Sequence, residues 1–292
     1  MLAVAVAVPG LAATAMGGSG GECFGRSPTI VADAYAVEGT PGDDVIVDRD
    51  GSGLIQSGGG DDRICIRANA FHEVYAGSGD DMVDGGDRED FVYPQAGGDL
   101  VRAGGGADLI TDERGQVDDR YLAGGGSDDQ LRLSLPYARN RSAGARVDLA
   151  RGIARGHGLD RLAGFEHVEG TGRPDLLIGD AGDNDLDGIR GEDRIGGGPG
   201  DDLVLGTTVA IGEDGAGDDP AAGSDPWLHG GPGSDRVYGR HGSDNLFGGP
   251  GDDLLGGGVL DGAGGSNDDD FGDGGPGTDT CRGLERSAGC ED

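Results

Sequence analysis

The chain has no lysine, few aromatic residues and, after its N-terminal segment, no long apolar run. Its 22 basic residues, all arginines, face 55 acidic residues, so the formal net charge is −33. This balance argues against a nucleic-acid partner, because phosphate binding needs a basic face. No later segment approaches the roughly 18 apolar residues of a membrane span. We therefore expect no membrane span, and a multivalent cation is the natural partner for so much negative charge.

The composition also predicts a thin core. Aromatic residues make up 4% of the chain, whereas 66 of its 292 residues are glycine. Glycine is entropically costly to order, and aromatic side chains normally fill much of a core. Such an acidic, aromatic-poor chain is either disordered or folded by a partner that removes charge.

The N-terminal stretch "MLAVAVAVPGLAATA" is apolar and ends in the small-x-small pattern Ala13–Ala15. This pattern predicts a Sec-type signal peptide over residues 1–15 and a secreted, extracellular protein. The alternative is a buried apolar strand. No basic residue precedes Arg26, so the stated start could be mis-assigned.

Four cysteines follow this segment, which suggests two disulfides if the protein is exported. Of three connectivities, the close pair Cys281–Cys290 is favoured, which leaves Cys23–Cys65. Four free thiols are the alternative. A zinc site is disfavoured, because there is no CxxC motif and no flanking histidine.

A nine-residue repeat dominates the rest of the chain. From Gly170 the blocks run without a gap as "GTGRPDLLI", "GDAGDNDLD", "GIRGEDRIG" and "GGPGDDLVL". The template is G-G-x-G-x-D-x-U-x with U apolar, the known nonapeptide of calcium-binding β-helices. Because the apolar residue keeps one phase, disorder of the metal-bound protein is disfavoured.

Each template position has a physical role. Glycine lets the chain turn, the turn carbonyls and the position-6 aspartate supply oxygens, and U points inward from a short strand. Two blocks make one coil, so equivalent turns lie 18 residues apart in sequence; the expected same-side pairs are Asp81 with Asp99, Asp90 with Asp108, Asp175 with Asp193, Asp235 with Asp253 and, more weakly, Asn184 with Asp202. The candidate calcium ligands are the position-6 residues Asp44, Asp62, Asp81, Asp90, Asp99, Asp108, Asp175, Asp193, Asp202, Asp235, Asp244, Asp253, Asp269 and Asp279, and the position-4 residues Gly42, Gly79, Gly106, Gly182, Gly191, Gly200, Gly233, Gly242, Gly251 and Gly277.

These blocks resemble the RTX, or hemolysin-type, calcium-binding repeat family over most of residues 39–282. The resemblance implies an all-β fold, a right-handed parallel β-roll, with several Ca²⁺ ions in two rows between successive turns. The ending "GGPGTDTCRGLERSAGCED" is similar to the Cys-closed tail of secreted actinobacterial members.

The phase of the blocks divides the chain into segments. The expected order is signal peptide 1–15, N-terminal cap 16–38, repeats 39–132, irregular insertion 133–169 with one degenerate repeat, repeats 170–205, acidic loop 206–229, repeats 230–282 and Cys-closed tail 283–292. His72, Gly53 and Asn184 replace the position-6 aspartate, so calcium sites there are doubtful or weakened. Trp227, the only tryptophan, is expected to be an incidental packing residue.

No catalytic motif is complete. "HEVYA" at His72 begins a zinc-protease motif but lacks its second histidine, and the only G-x-S-x-G match, "GGSGG", lies in low-complexity sequence. We therefore expect a monomeric calcium-binding β-roll without catalytic activity. Two alternatives stay open: an adhesion module that binds cell-wall or matrix polymer and uses the roll as a spacer, and the repeat part of a larger secreted enzyme or toxin.

Overall fold

In a computed structural model, the described part of the chain forms two sheets of short stacked strands and contains no helix. The structure describes residues 21–32, 35–49, 51, 53–113, 117–134, 144–156, 158–207, 224–240, 242–258 and 269–291. The expected signal peptide, residues 1–15, lies outside these ranges. No helix among the described residues is long and apolar enough to cross a membrane.

Sheet I has 15 strands. In spatial order across the sheet they are β1 (Ile30–Ala32), β3 (Val45–Asp48), β5 (Arg63–Ile66), β7 (Met82–Asp84), β9 (Leu100–Gly104), β11 (Arg120–Gly124), β15 (Leu159–Ala163), β14 (Ile153–Arg155), β13 (Arg146–Asp148), β17 (Leu176–Ile178), β19 (Arg194–Gly196), β21 (Trp227–His229), β23 (Asn245–Phe247), β25 (Phe271–Asp273) and β27 (Arg286–Ala288).

Sheet II has 12 strands. Their spatial order is β2 (Ala36–Glu38), β4 (Leu54–Gln56), β6 (His72–Ser78), β8 (Asp90–Ala96), β10 (Leu109–Asp112), β12 (Gln130–Leu133), β16 (His167–Glu169), β18 (Asp185–Ile189), β20 (Leu203–Thr207), β22 (Arg236–Arg240), β24 (Leu254–Gly256) and β26 (Thr280–Arg282). The chain alternates between the two sheets, and successive strands of each sheet pair in parallel outside one insertion. This is the expected all-β parallel β-roll.

The core is a double column of apolar side chains between the sheets. The template U positions are buried in both sheets, as for Ile64 and Val83 in sheet I and Val92 and Leu186 in sheet II, and the last of them, Cys281, is partly buried. Register agrees with the template, since Ile64 lies beside Val83 in sheet I. The expected inward U positions are Ile46, Ile64, Val83, Val92, Val101, Ile110, Leu177, Leu186, Ile195, Val204, Val237, Leu246 and Leu255, and all are at most 1% exposed.

The insertion is not an irregular loop where the structure describes it. Strands β13, β14 and β15 form an antiparallel meander inside sheet I, and its outer strands pair in parallel with β17 and β11. Ala154 and Leu162 point into the core, so the hydrophobic column continues through the meander. Residues 135–143 of this insertion lie outside the described ranges.

The acidic segment 206–229 also contributes to the roll at its end. β21 pairs in parallel with β19 and β23 and inserts Leu228, which is 0% exposed, into the core. The segment therefore returns to the repeat phase before residue 230. Residues 208–223 lie outside the described ranges.

Both favoured disulfides are present. Cys23–Cys65 joins the N-terminal segment to the outer side of β5, where the two cysteines pack with Val45 and Val47. Cys281–Cys290 closes the C-terminal turn beside β26. All four cysteines are paired.

Candidate metal sites between the coils

Acidic side chains form two rows along the roll, one at the start of the strands of each sheet. Within a row, the backbone N–H of one residue donates a hydrogen bond to a carboxylate oxygen of its neighbour on the next coil. Row I consists of Asp44, Asp62, Asp81, Asp99, Asp119 and Asp160, then Asp175, Asp193, Asp225, Asp244, Asp270 and Glu285. Row II consists of His72, Asp90, Asp108, Asp129 and Glu166, then Asn184, Asp202, Asp235, Asp253, Asp279 and Glu291.

The structure brings together every same-side pair expected from the sequence. The donor–acceptor distance from backbone nitrogen to Oδ1 is 2.8 Å for Asp81 to Asp99 and 2.9 Å for Asp235 to Asp253. The same contact is 2.8 Å for Asp90 to Asp108, Asp175 to Asp193 and Asn184 to Asp202. The repeat phase therefore predicted which residues are neighbours between coils.

One expected row member is wrong by a single residue. Asp270, and not Asp269, accepts the hydrogen bond from the N–H of Asp244, while Asp269 is exposed and contacts Ser243 and Arg286. The register follows from Gly272, which lies in the inward place beside Leu246 with the Leu284 side chain packed over it. Counting back nine residues from the block at Gly274 would have found this phase.

Other row members were not among the expected ligands. Asp129 and Asp160 occupy position 6 of degenerate blocks, "GGGSDDQLR" and "RGHGLDRLA", so phase alone identifies them. Asp119 is marked only by the Asp-x-U spacing to the buried Tyr121. Asp225 follows Gly223 as in the template, but its buried residue, Leu228, lies three positions on and so one residue out of phase. The glutamates at row ends, Glu166, Glu285 and Glu291, reach the same position with a longer side chain.

The second carboxylate oxygen of many row aspartates is buried without a hydrogen-bond partner among the described residues. In the turn of Asp202 this Oδ2 lies over Gly197, the first glycine of its own block, where a β-carbon would overlap it. Leaving a buried carboxylate oxygen unpaired is costly, whereas a cation among oxygens is what such a group accepts. The row aspartates in this state are Asp62, Asp81, Asp108, Asp193, Asp202, Asp235, Asp253 and Asp279.

Burial and crowding raise the pKa of these carboxyl groups. Desolvation, reinforced by neighbouring aspartates and opposed by the backbone hydrogen bond, raises the pKa of Asp81 to about 8 and that of Asp193 to about 9. The pKa values of Asp99, Asp108 and Asp235 rise to about 7 for the same first cause. Without a compensating cation, the folded rows therefore hold their charge poorly at neutral pH.

His72 takes the place of an aspartate at the start of row II. Its Nε2 lies 2.7 Å from Oδ2 of Asp48 and its Nδ1 3.3 Å from Oδ1 of Asp90, with all three side chains fully buried. Burial alone would lower the pKa of His72, but hydrogen bonds to the two carboxylates outweigh it and raise the pKa. This coil has an imidazole where the template has a carboxylate.

Both rows weaken at the insertion. In row I, β14 and β13 follow Asp160 without an acidic row residue, and Asp175 accepts its hydrogen bond from the N–H of Ala145. In row II, the amide of Asn184 binds the N–H of Asp180 in its own turn. The rows thus fall into an N-terminal and a C-terminal block.

Half-coils with one buried carboxylate each, stacked in parallel, define a calcium-binding class of β-roll. A model of the RTX calcium-binding nonapeptide repeat matches the chain in four copies, at residues 38–65, 75–110, 169–204 and 227–258. The chain therefore contains RTX calcium-binding nonapeptide repeats, and Ca²⁺ is the ion that these repeats bind. A comparison of the chain with curated proteins found no match.

Proposed function

We propose that calcium held between the coils folds this chain, and that the protein works as a secreted, non-catalytic β-roll. The observation that carries the proposal is the set of buried Oδ2 atoms, without a partner among the described residues, in two rows of like charge. When bound, Ca²⁺ supplies two positive charges and accepts six to eight oxygen ligands. That chemistry matches the oxygens that the rows leave unsatisfied.

The row aspartates would hold the ions together with turn carbonyls. No three His, Cys, Asp or Glu side chains in the described ranges converge on one point, so side chains alone would not complete a coordination sphere. The carbonyls of the template turns, including those of the position-4 glycines, would supply the remaining oxygens. Because such a site needs two stacked turns, metal-binding free energy becomes folding free energy.

Two further observations support the non-catalytic, extracellular part of the proposal. Row aspartates such as Asp81 and Asp193 are at most 1% exposed, so a substrate would not reach them in the folded roll. The two disulfides are typical of oxidising, extracellular compartments. The calcium-loaded protein should hydrolyse casein and p-nitrophenyl esters no faster than buffer, and fractionation of the source cells should recover it outside them.

Far-ultraviolet circular dichroism of the full chain tests the folding role. A calcium titration from a chelated start should give a cooperative coil-to-β transition that Mg²⁺ does not reproduce. Asp81→Asn should shift the midpoint to higher calcium, whereas Asp80→Asn removes the same charge from an exposed neighbour and should not. An unchanged β spectrum in chelator would refute the proposal.

A further inference from the structure

The outer face of sheet I carries exposed arginines, whereas most acidic residues of the chain lie elsewhere. On the strands from β9 to β23, no described side chain that faces outward is an exposed carboxylate, although the chain carries 55 acidic residues. Asp148 lies on this face but is buried and paired with Arg151. The outward arginines of these strands are Arg102, Arg120, Arg146, Arg155, Arg161 and Arg194.

Four of these arginines are placed as like-charged neighbours. Arg120 lies directly beside Arg161 on adjacent strands, and Arg146 lies beside Arg155. Like charges in direct cross-strand register destabilise a sheet. None of the four, nor Arg194, forms an ion pair among the described residues.

Elsewhere the same fold pairs its arginines. On the outer face of sheet II, Arg132 lies 2.7 Å from Glu169, and near β7 Arg67 lies 2.7 Å from Asp84. In a chain with more than two acids per arginine, a run of guanidinium groups without carboxylate partners in the described ranges is therefore not a result of scarce partners. It is the arrangement expected of a surface that binds an external anion.

An aromatic ladder continues the arginine face along the roll. Trp227 lies in register with Arg194, extends over Gly196, is 39% exposed and stacks on His229 at 5.4 Å. The ladder then runs through Phe247 and Phe271, with ring centroids 6.2 and 6.1 Å apart at successive steps. It ends where the guanidinium carbon of Arg286 lies 5.9 Å from the Phe271 ring centroid.

We propose that this outer face of sheet I binds an acidic polysaccharide laid along the axis of the roll. From β9 to β23 the face crosses eight strand spacings of about 4.8 Å each, or about 40 Å in all. Guanidinium groups bind carboxylate or sulfate bidentately, and the aromatic rings offer flat surfaces to the apolar C–H faces of sugar rings. The proposal rests on the calcium-loaded roll proposed above.

The observations favour a glycan over the other anionic partners. Acidic turns border the face on both sides, so a polymer with a phosphate on every unit would meet more repulsion at its edges than a glycan with one carboxylate on every second sugar. The Trp227 ring covers Gly196 on the sheet surface, which suits stacking on a sugar face better than insertion between bases. A second copy of this chain packed face to face would place arginine opposite arginine, and like charges repel.

Binding of the calcium-loaded full chain to immobilised glycans tests the proposal. The probes are heparin and hyaluronate as acidic glycans, dextran as the neutral glycan, and polyphosphate and oligo(dT) as other polyanions. The variant R120Q/R161Q removes two charges from the face, and R236Q/R282Q removes two exposed arginines of sheet II as a matched control. Trp227→Ala tests the ladder, and circular dichroism of each variant in calcium reports folding separately.

At least one acidic glycan should bind, with an affinity that falls about tenfold or more in R120Q/R161Q and is unchanged in R236Q/R282Q. Trp227→Ala should weaken glycan binding but not any polyphosphate binding. The proposal is overturned if the folded protein binds neither acidic glycan, or if the two double variants lose the same amount of glycan affinity. Tighter binding of oligo(dT), or a dimer in light scattering that R120Q/R161Q abolishes, would assign the face to nucleic acid or to self-association instead.

Discussion

Replacing Asp193 by asparagine should have opposite effects with and without calcium. Asp193 is fully buried, its Oδ1 accepts the N–H of Asp175 at 2.8 Å, and its Oδ2 has no partner among the described residues. Asparagine keeps the acceptor oxygen and the shape of the side chain but removes the charge. Asn184 shows that a row position tolerates an amide side chain, because its backbone N–H still donates to Asp202 on the next coil.

The size of the effect without calcium follows from the pKa. Burial, with the charges of Asp175 and Asp225, raises the pKa of Asp193 from 3.8 to about 9. At pH 7 the folded chain must therefore protonate a group that is ionised in the unfolded chain, at a cost of at most about 4 kcal/mol. Asp193→Asn removes this cost, so it should stabilise the chelated protein by up to that amount.

With calcium the sign reverses, because the same substitution removes a ligand. The calcium affinity of that coil should fall about tenfold or more, equivalent to about 1.4 kcal/mol or more. Glu192→Gln is the matched control, since it removes one charge from the exposed neighbouring residue.

Two measurements decide the outcome. In chelator, trimethylamine N-oxide can drive folding, and Asp193→Asn should lower the midpoint concentration measured by circular dichroism. In calcium, titration calorimetry should show the weakened site. A higher midpoint concentration of trimethylamine N-oxide for Asp193→Asn in chelator, or an equal shift in Glu192→Gln, would refute the view that the buried carboxylates of row I destabilise the calcium-free fold.

Three further predictions test the rows and turns. With calcium chelated, the β content measured by circular dichroism should rise as pH falls from 8 to 4. The pKa values of the row aspartates in the folded protein, about 6 to about 9, exceed the ordinary 3.8, so the stabilisation from their protonation is complete below pH 3.8 and is lost as pH rises through the folded pKa values. A pH-independent spectrum would contradict this. Gln95→Gly should stabilise the calcium-loaded protein by about 1 kcal/mol in urea unfolding, because Gln95 has φ 74°, whereas Gly77→Ala should destabilise it by several kcal/mol, since Gly77 has φ 107° and a β-carbon there would overlap the Gly58 carbonyl. Asp270→Asn should weaken calcium binding in calorimetry and Asp269→Asn should not; the reverse would return Asp269 to row I.

The regular part of the fold was predictable because one local rule repeats. A nine-residue phase fixes which side chain points inward and which lies beside it on the next coil, so burial of Ile64 and the Asp81–Asp99 contact follow directly. The cysteine pairing followed from chain proximity of Cys281 and Cys290.

The sequence predicted less where the phase breaks. The block that starts at Gly264 favours Asp269, whereas the phase of the next block, which starts at Gly274, favours Asp270. The packing of Leu284, a residue from the next coil, above Gly272 agrees with the second phase. Strand β14 runs antiparallel inside a parallel sheet, and no repeat specifies that pairing. The net charge likewise could not predict the arginine face, because a sum over the whole chain does not say how basic and acidic side chains are distributed between the faces of the roll.

The insertion connects these irregular features. Strands β13 and β14 lie in the interior of sheet I and contribute no acidic row residue, so their order does not depend on a calcium site in that row. They still insert Val147 and Ala154 into the shared core, which ties them to the coils on either side. Freed from the turn chemistry of the repeat, these strands place Arg146 and Arg155 on the same face as Arg161 of β15. The interruption of the calcium row and the densest part of the arginine face thus have the same structural origin.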